Sequence, residues 1–346
     1  MKNEFYINYY FKKNIKPIRP LIIAEISGNH CGKKSLFLKT IKSAAKNGAD
    51  LIKIQTYEPE DITIKKNFKV FKNGNTNLWN IYKKAHTPYL WHKDAFKLAK
   101  KLKIEIFSTP FSIRAVDFLE KLNVKLYKIS SFEITDYQLI KKIASTRKPV
   151  IVSTGMASSR DISNCVNIIK KYHSKIILLH CVSGYPTSES QSNLKRIKIL
   201  KDKFKNIGIG LSDHTNDILT SLTSVAYDVR FIEKHFIISK KLKSLDRAFS
   251  IDPSQLKELK IKSKRVFRSL GIEAFQVQNE EKKSKRFRRS IFTIKKIKKN
   301  EKLTEKNISN FRPKIGVDSN YFFKVLGKRI KKDISKHEPI FFKDLK

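Results

Sequence analysis

The chain has 346 residues, of which 40% are hydrophobic. This is enough for a barrel of about 250 residues plus a small second domain. There is no run of about 18 apolar residues, and the N-terminus lacks the apolar stretch and cleavage site of a signal peptide, so neither a membrane span nor secretion is expected. The three cysteines form no CxxC pair, which favours a reducing cytoplasm.

The formal net charge of +43 is extreme for this length. Such a charge is compatible with nucleic-acid binding. However, lysines outnumber arginines and are scattered over the predicted helices and loops, and the chain shows no helix-turn-helix, zinc-finger or RNP-like pattern. We therefore favour a composition bias, such as AT-rich coding would produce, over a specific nucleic-acid partner. A mobility-shift assay with its salt slope tests this hypothesis, because strong nonspecific binding would contradict it.

Eight short apolar runs, each followed by polar residues, recur along the chain. They are Leu21–Ala24, Leu51–Ile54, Ile104–Phe107, Leu126–Ile129, Pro149–Val152, Ile176–Leu179, Ile207–Leu211 and Phe231–Ile232. Stretches with helical spacing lie between them. Eight strands that alternate with helices predict an α/β fold, a (β/α)8 TIM barrel over residues 21–270.

The remaining segments predict further elements. Residues 1–20 are expected to form an N-terminal hairpin or extension, and the long 58–92 connection to act as a lid or substrate-binding element. Within that connection, Asn73–Asn75 predicts a turn and Leu78–Tyr82 a helix. Charged residues over 271–290 predict a linker, and 291–346 a second domain close to the lower size limit for independent folding.

The strand ends carry the candidate chemistry, because active sites of such barrels collect there. Residues two apart share a face of a strand, so Lys53 should point with Gln55 and Lys128 with Ser130. A buried lysine is costly without an anion. Together with hydroxyls (Thr109, Ser130, Ser131 and Ser153), the lysines predict a cradle for phosphate and carboxylate groups. The alternative is that each lysine pairs with an inward carboxylate such as Glu25.

Two histidines follow the last two predicted strands. Neighbouring strands lie about 4.8 Å apart, so His214 and His235 could reach one cation. Nitrogen ligands completed by oxygen suit Mn²⁺, Co²⁺ or Mg²⁺ over structural zinc. Glu233 could then orient a water, and Asp213 the His214 loop. The alternative is two unlinked histidines bonded to backbone. Covalent catalysis by His180-Cys181 is disfavoured, because adjacent strand residues face opposite ways.

Nine motifs, in order, carry a resemblance. IAEISGNHCG, GADLIKIQTY, FSTPF, YKISSFE, VSTGM, LHCVSGYPT, GLSDHT, IEKHF and FRPKIG together resemble the sialic acid synthase family, whose members condense phosphoenolpyruvate with an N-acetylated sugar aldehyde. Within that family, the phrase LWNIYKKAHTPYLWH is most similar to pseudaminic acid synthases. Phe132 stands where relatives that make N-acetylneuraminate carry glycine, which fits a 6-deoxy sugar with two acetamido groups.

The resemblance implies a barrel with a C-terminal antifreeze-like (SAF) domain that covers the partner's barrel mouth in a swapped homodimer. It also implies residue roles. Phosphoenolpyruvate would be bound by Lys53, Thr109, Lys128, Ser130, Ser153, Ser183 and Tyr185; the divalent metal by His214 and His235; and the sugar or reacting water by Glu25, Gln55, Glu133, Asp246 and, across the dimer, Arg312. In the implied reaction the methylene carbon of phosphoenolpyruvate attacks the aldehyde, water adds, and phosphate leaves with C–O cleavage. Glu25 or Glu233 would take the proton of that water.

Other functions remain open at this point. One is an N-acetylneuraminate or legionaminate synthase that uses a mannose-type sugar. Another is a synthase of 3-deoxy sugar acids, although such enzymes normally lack the SAF domain. A third is an inactive, basic binding protein, against which the intact lysines and histidines argue. The chain also departs from the family at Asn300 and His337, which replace usual glycines, so backbone strain is expected wherever a positive φ is required.

Overall fold

Eight parallel strands close into a barrel in the computed structural model, which describes residues 9–12, 19–66, 68–71 and 74–346. The barrel strands are β1 (Leu21–Glu25), β2 (Leu51–Thr56), β5 (Glu105–Pro110), β6 (Tyr127–Ile129), β7 (Val150–Ser153), β8 (Ile176–Cys181), β9 (Gly208–Asp213) and β10 (Phe231–His235). Around the barrel their order is β1-β10-β9-β8-β7-β6-β5-β2. The predicted (β/α)8 barrel is confirmed.

The strands form where buried aliphatic residues follow one another. Every residue of β1, β7 and β10 is buried, as expected for parallel strands covered on both faces. The strands also approach closely: a Cβ on Gly210 would lie 2.7 Å from the carbonyl oxygen of Phe231. Glycine is therefore required at this position of β9.

Helices cover the outside of the barrel. They are α1 (Lys34–Lys46), α4 (Tyr89–Leu102), α5 (Ile113–Lys121), α6 (Tyr137–Ser145), α7 (Ser159–Lys170), α8 (Arg196–Lys203), α9 (Leu219–Ser224) and α10 (Pro253–Ser269). Several begin at side-chain caps that satisfy free backbone N–H groups: Asp136 accepts from Leu139, Ser158 from Asp161 and Asp252 from Gln255. Their apolar faces and the strands form one continuous core.

The long connection after β2 contains α2 (Pro59–Ile62), an antiparallel hairpin of β3 (Phe68–Phe71) and β4 (Gly74–Thr76), and α3 (Leu78–Ala85). The expected helix is present and extends three residues further than predicted. Part of the predicted turn, Asn73, lies outside the described residues. So does most of the predicted N-terminal hairpin, although Tyr10 contacts Phe231 edge-on, with ring centroids 5.7 Å apart.

The chain divides into two compact units, Met1–Gly271 and Ile272–Lys346. The second unit begins with α11 (Asn279–Lys282) and a 3-10 turn, Lys283–Phe287, within the segment predicted as a linker. It continues with the antiparallel pair β11 (Ser290–Thr293) and β12 (Ile308–Phe311), and with α12 (Phe322–Val325). It has its own hydrophobic core. Among the residues described, no helix is both long and apolar enough to span a bilayer.

Two residues of this second unit other than glycine have left-handed backbone conformations. Asn300 and His337 both have φ of 68°. A positive φ costs a residue with a Cβ more than it costs glycine. The backbone strain expected from the sequence therefore has a structural basis at both positions.

Candidate active site

A cavity of about 600 Å³ opens at the C-terminal ends of the barrel strands. Most of the residues predicted from the sequence line it: Lys53, Gln55, Lys128, Ser130, Ser131, Glu133, Ser153, Tyr185, His214, Glu233, His235 and Asp246. Because parallel strands all end at the same edge of the barrel, residues that are far apart in the chain meet here.

Lys53 lies on the floor of this cavity between two buried carboxylates. Its Nζ is 3.0 Å from Glu25 Oε2 and 3.0 Å from Glu233 Oε1. Burial opposes the charge of Lys53, but Glu233 and Glu25 outweigh that effect and raise its pKa. The lysine is therefore charged. It pairs with inward carboxylates, which was the alternative to a free anion cradle.

Lys128 is less completely compensated. Its Nζ donates to Ser153 Oγ at 2.6 Å and to the carbonyl of Ile129 at 3.1 Å, while Glu233 Oε1 lies 3.9 Å away. Burial lowers the pKa of Lys128 to about 8. A buried ammonium group with so little negative charge around it favours an anionic ligand.

The four acidic residues of the site differ in their surroundings. Burial raises the pKa of Glu25, whose Oε1 has no hydrogen-bond partner. Burial also acts on Glu233, but Lys128 and Lys53 outweigh it and lower the pKa of this carboxyl. Burial raises the pKa of Glu133, which accepts a hydrogen bond from Ser130. Asp246 accepts from the backbone N–H of Gly28 at 3.2 Å.

The two predicted histidines meet above this floor. The ring centroids of His214 and His235 lie 5.4 Å apart, and Tyr185 packs on His214 with a centroid distance of 4.3 Å. Nδ1 of His214 is 2.9 Å from the carbonyl oxygen of Val182 and therefore donates to it, so in the neutral ring Nε2 carries the lone pair. Nδ1 of His235 is buried and lies 3.7 Å from Asp246 Oδ2, too far for a hydrogen bond.

These imidazoles fit a divalent cation whose remaining ligands are not protein side chains. A hydrogen bond from one ring nitrogen to a backbone carbonyl is the usual arrangement of a ligating histidine. Within the described part of the chain, no group of three or more His, Cys, Asp or Glu side chains could hold a metal ion. The donor set therefore suits an open site, completed by water or substrate oxygens, and not a closed structural one.

Five of the predicted site residues do not line the cavity: Glu25, Thr109, Ser183, Asp213 and Arg312. Glu25 lies beneath Lys53, Thr109 is buried on β5, and Ser183 lies beside Cys181 with its Oγ 3.9 Å from Sγ. A catalytic role for Asp213, and its expected role in orienting the His214 loop, stay predictions. Side chains alternate along β9, so Ser212 faces the cavity and Asp213 faces away, where it pairs with Lys234.

Arg312 belongs to the second compact unit. There it lines a separate cavity of about 570 Å³ together with Arg288, Arg289 and Asp318. Its action on the sugar across a dimer stays a prediction.

The cavity has an apolar rim that the strand-end argument missed. Aromatic and aliphatic side chains around its mouth come from the long connection and from the loops that follow β5, β6 and β10: Ile62, Ile81, Tyr82, Phe111, Phe132, Leu245 and Phe249. Tyr82 packs edge-on against Tyr57, with ring centroids 6.1 Å apart, which fixes α3 at the mouth. Two signals pointed to α3, the unusual length of the 58–92 connection and the phrase LWNIYKKAHTPYLWH, and the resemblance had already suggested Phe132 as an apolar wall for the sugar. The polar floor and apolar rim together suit a ligand with an anionic end and an apolar one.

Comparison with known proteins assigns the chain to a family. The NeuB family model matches residues 40–274, and the SAF domain model matches residues 288–346. The chain belongs to the NeuB family. A relative named pseudaminic acid synthase, from Campylobacter jejuni, is 39% identical over 90% of this chain and 93% of its own length.

Two further relatives have different names. The N,N'-diacetyllegionaminic acid synthase of Campylobacter jejuni is 35% identical over 93% of this chain and 99% of its own length. The solved structure of the N-acetylneuraminic acid synthetase of Leptospira borgpetersenii, in complex with citrate, superposes with a TM-score of 0.71 at 34% identity and covers 78% of this chain and 93% of that one. The predicted resemblance to sialic acid synthases is confirmed, and so is the predicted barrel with a C-terminal SAF domain.

Proposed function

We propose that the protein is a nonulosonic acid synthase. It condenses phosphoenolpyruvate with a 2,4-diacetamido-2,4,6-trideoxy-hexose and releases phosphate, which is the activity of a pseudaminic acid synthase. The observation that carries the proposal is a single cavity with two buried ammonium groups, Lys53 and Lys128, on its floor and paired imidazoles above them. Relatives from Campylobacter jejuni and Helicobacter pylori, at 39% and 37% identity, are named pseudaminic acid synthase, which supports the same activity.

Phosphoenolpyruvate binds at the floor. Lys128 offers the least compensated charge, and hydroxyl groups of Ser130, Ser131, Ser153 and Ser212 line the same region. Charge-assisted hydrogen bonds to phosphate and carboxylate are stronger than neutral ones. This cradle holds the methylene carbon of phosphoenolpyruvate in register with the sugar aldehyde. Holding the two reactants in this orientation lowers the entropic part of the activation barrier.

The sugar binds between floor and rim. Phe132 is 61% exposed in the free protein and lines the mouth, beside Ile81 and Tyr82. Covering this apolar surface with the methyl and acetamido groups of a deoxy sugar is favourable. Glu133, Gln55 and Asp246 line the same cavity and offer polar partners to the hydroxyl and amide groups.

His214 and His235 hold a divalent cation, with Mn²⁺, Mg²⁺ and Co²⁺ as candidates. When bound, such a cation supplies Lewis acidity to a carbonyl oxygen. The chain's own contribution is to hold the two imidazoles, that of His214 by its hydrogen bond to Val182 and that of His235 by its edge-on packing against Phe249.

Glu25 is the better candidate for the proton transfer. A general base works best with a pKa near the working pH. Lys128 and Lys53 lower the pKa of Glu233. Burial instead raises the pKa of Glu25, and the Oε1 atom of Glu25 has no hydrogen-bond partner. Because Glu25 lies beneath Lys53 and does not line the cavity, the proton of the water that adds to the enol-phosphate carbon reaches Glu25 by way of the Lys53 ammonium group, and Glu233 holds the lysines in place.

A swapped homodimer and a cytoplasmic location complete the proposal. The three cysteines are free thiols, as is usual in a reducing compartment. If Arg312 acts across the dimer, R312A and H214A variants, each inactive alone, regain activity when their subunits are mixed and exchanged. No regained activity in a mixed dimer would contradict a shared site.

One experiment tests the activity and selects the sugar. The protein is incubated with phosphoenolpyruvate, Mn²⁺ and single candidate aldoses, and nonulosonates are detected by mass spectrometry. The proposal expects product with the 2,4-diacetamido-2,4,6-trideoxy sugar that leads to pseudaminic acid. Product only with the legionaminic precursor or with N-acetylmannosamine would assign the alternative subtype, and no product with any aldose would contradict the synthase function.

A further inference from the structure

A second lysine–carboxylate pair lies behind the active site, on the outer face of β9 and β10. The side chain of Lys234 is fully buried, and its Nζ is 3.1 Å from Asp213 Oδ2. Side-chain alternation along β10 turns Lys234 away from Glu233 and His235, and neither Lys234 nor Asp213 lines the large cavity. The pair therefore cannot touch a substrate held there.

Both members of the pair converge on Thr215. Lys234 Nζ donates to the carbonyl oxygen of Thr215 and to its Oγ1, the latter at 3.2 Å. Asp213 Oδ1 accepts from the backbone N–H of Thr215 and from its Oγ1, both at 2.8 Å. Ser221 donates a further hydrogen bond to Asp213. The residue enclosed between Asp213 and Thr215 is His214.

The backbone around His214 is thus held at several points. Asp213 before it and Thr215 after it both bond to the ammonium group of Lys234. The carbonyl oxygen of His214 itself accepts from the N–H of Thr187 at 3.0 Å. The imidazole itself has one short hydrogen bond, to Val182. Where the ring lies relative to His235 therefore depends mainly on where the backbone is held.

We propose that Lys234 is a positioning residue for His214. Through Thr215 and Asp213 it fixes the backbone that carries the imidazole, and so fixes the separation of the two rings that would share a divalent cation. The inference rests on the proposed function for the cation, but the backbone restraint is a property of the free protein. A buried ion pair contributes little to stability. A role in fixing the position of His214 therefore explains the presence of a buried ammonium group at Lys234 better than a role in stability does.

The test compares two variants that each remove a lysine–aspartate charge pair. D213N/K234M removes both charges together and leaves no unpaired buried ion, while the amide oxygen that replaces the Asp213 carboxylate can still accept from Thr215. D50N/K260M is the control, because Lys260 and Arg19 both pair with Asp50 beside the start of β2, at the opposite end of the barrel, and the amide oxygen that replaces the carboxylate can still accept from Arg19. Circular dichroism first establishes that both variants are folded.

Two readouts follow on the full-length protein, amide hydrogen exchange of a peptide spanning 212–218 and the dissociation constant for Mn²⁺. We expect D213N/K234M to exchange at least tenfold faster in that peptide and to bind Mn²⁺ at least tenfold more weakly, with D50N/K260M unchanged in both. Wild-type exchange or wild-type Mn²⁺ affinity in folded D213N/K234M would overturn the proposal. If the wild-type protein binds no Mn²⁺, the cation role of the proposed function fails, and hydrogen exchange alone decides whether Lys234 restrains the loop.

Discussion

The imidazoles of His214 and His235 lie 5.4 Å apart between ring centroids, although 21 positions separate the two residues in the chain. Their strands, β9 and β10, are hydrogen-bonded neighbours. The register places both rings over one end of the barrel, above the buried lysines. This juxtaposition gives the cavity its proposed chemistry.

Replacing either histidine with alanine is expected to abolish metal-dependent turnover, because one imidazole cannot hold the cation in an open site. Turnover is measured with added Mn²⁺ and again with excess chelator. His173→Ala is the matched control, since His173 lies outside the cavity, and it should keep wild-type turnover. Undiminished activity of His214→Ala in chelator would remove the metal from the mechanism.

Binding of phosphoenolpyruvate should weaken above about pH 8. Burial lowers the pKa of Lys128 to about 8, so at lower pH the side chain is charged and attracts the anion, and at higher pH it is neutral. Affinity is expected to fall by about tenfold per pH unit above that pKa. Lys128→Arg, which stays charged, should remove the fall even if its absolute affinity is lower. Titration calorimetry between pH 7 and pH 10 measures both, and a flat wild-type profile would be inconsistent with a Lys128 anion site.

The rim should determine which sugar is accepted. Phe132→Gly removes an aromatic wall of the cavity. We expect KM for the 6-deoxy sugar to rise by about tenfold, because about 1–2 kcal/mol of binding free energy from apolar contact is lost. The KM for phosphoenolpyruvate should stay the same, because that substrate binds at the floor. Met156→Ala is the matched control, since Met156 is equally exposed at 62% but lies outside the cavity. Equal sugar preference in the wild-type protein and Phe132→Gly would show that the rim plays no part.

Asn300 and His337, the two left-handed residues of the second unit that carry a Cβ, give a stability prediction. At φ of 68°, a residue with a Cβ is strained by about 1–2 kcal/mol, and glycine loses about 0.5–1 kcal/mol through its greater freedom when unfolded. His337→Gly should therefore stabilise this unit by about 0.5–1 kcal/mol. Asn300→Gly should have a smaller effect, because the short polar side chain of asparagine can hydrogen-bond locally in this conformation.

Chemical denaturation measures these free energies of unfolding. Lys336→Gly is the control, because Lys336 is not among the residues with positive φ, and it should destabilise the protein by about 0.5–1 kcal/mol. Destabilisation by His337→Gly of the same size as by Lys336→Gly would mean that the left-handed conformation carries no strain.

The sequence was sufficient to predict the barrel and much of its floor. Continuous apolar runs set the strands, and two-residue alternation placed Lys53, Lys128 and Glu233 on the inner face. The same alternation, applied to Ser212 and His214, would have placed Asp213 outside the cavity. A position outside the cavity is compatible with the role expected for Asp213, which is to orient the His214 loop.

The apolar rim could not be predicted in the same way. Ile81 and Tyr82 lie on a helix in a long connection, and Leu245 and Phe249 follow the last barrel strand in a loop. Neither element has a period that specifies where it packs on the barrel. Its place depends on tertiary contacts, such as Tyr57 against Tyr82, which a single sequence does not reveal.

The most direct measurement of the central claim follows the bridging oxygen of phosphoenolpyruvate. The protein is supplied with phosphoenolpyruvate labelled with ¹⁸O between carbon and phosphorus, with Mn²⁺ and the 2,4-diacetamido-2,4,6-trideoxy aldose, and both products are weighed by mass spectrometry. We predict a nonulosonic acid without the label and inorganic phosphate that carries it, because the C–O bond breaks. Unlabelled phosphate, or release of phosphate without a condensed sugar acid, would contradict the proposed synthase reaction.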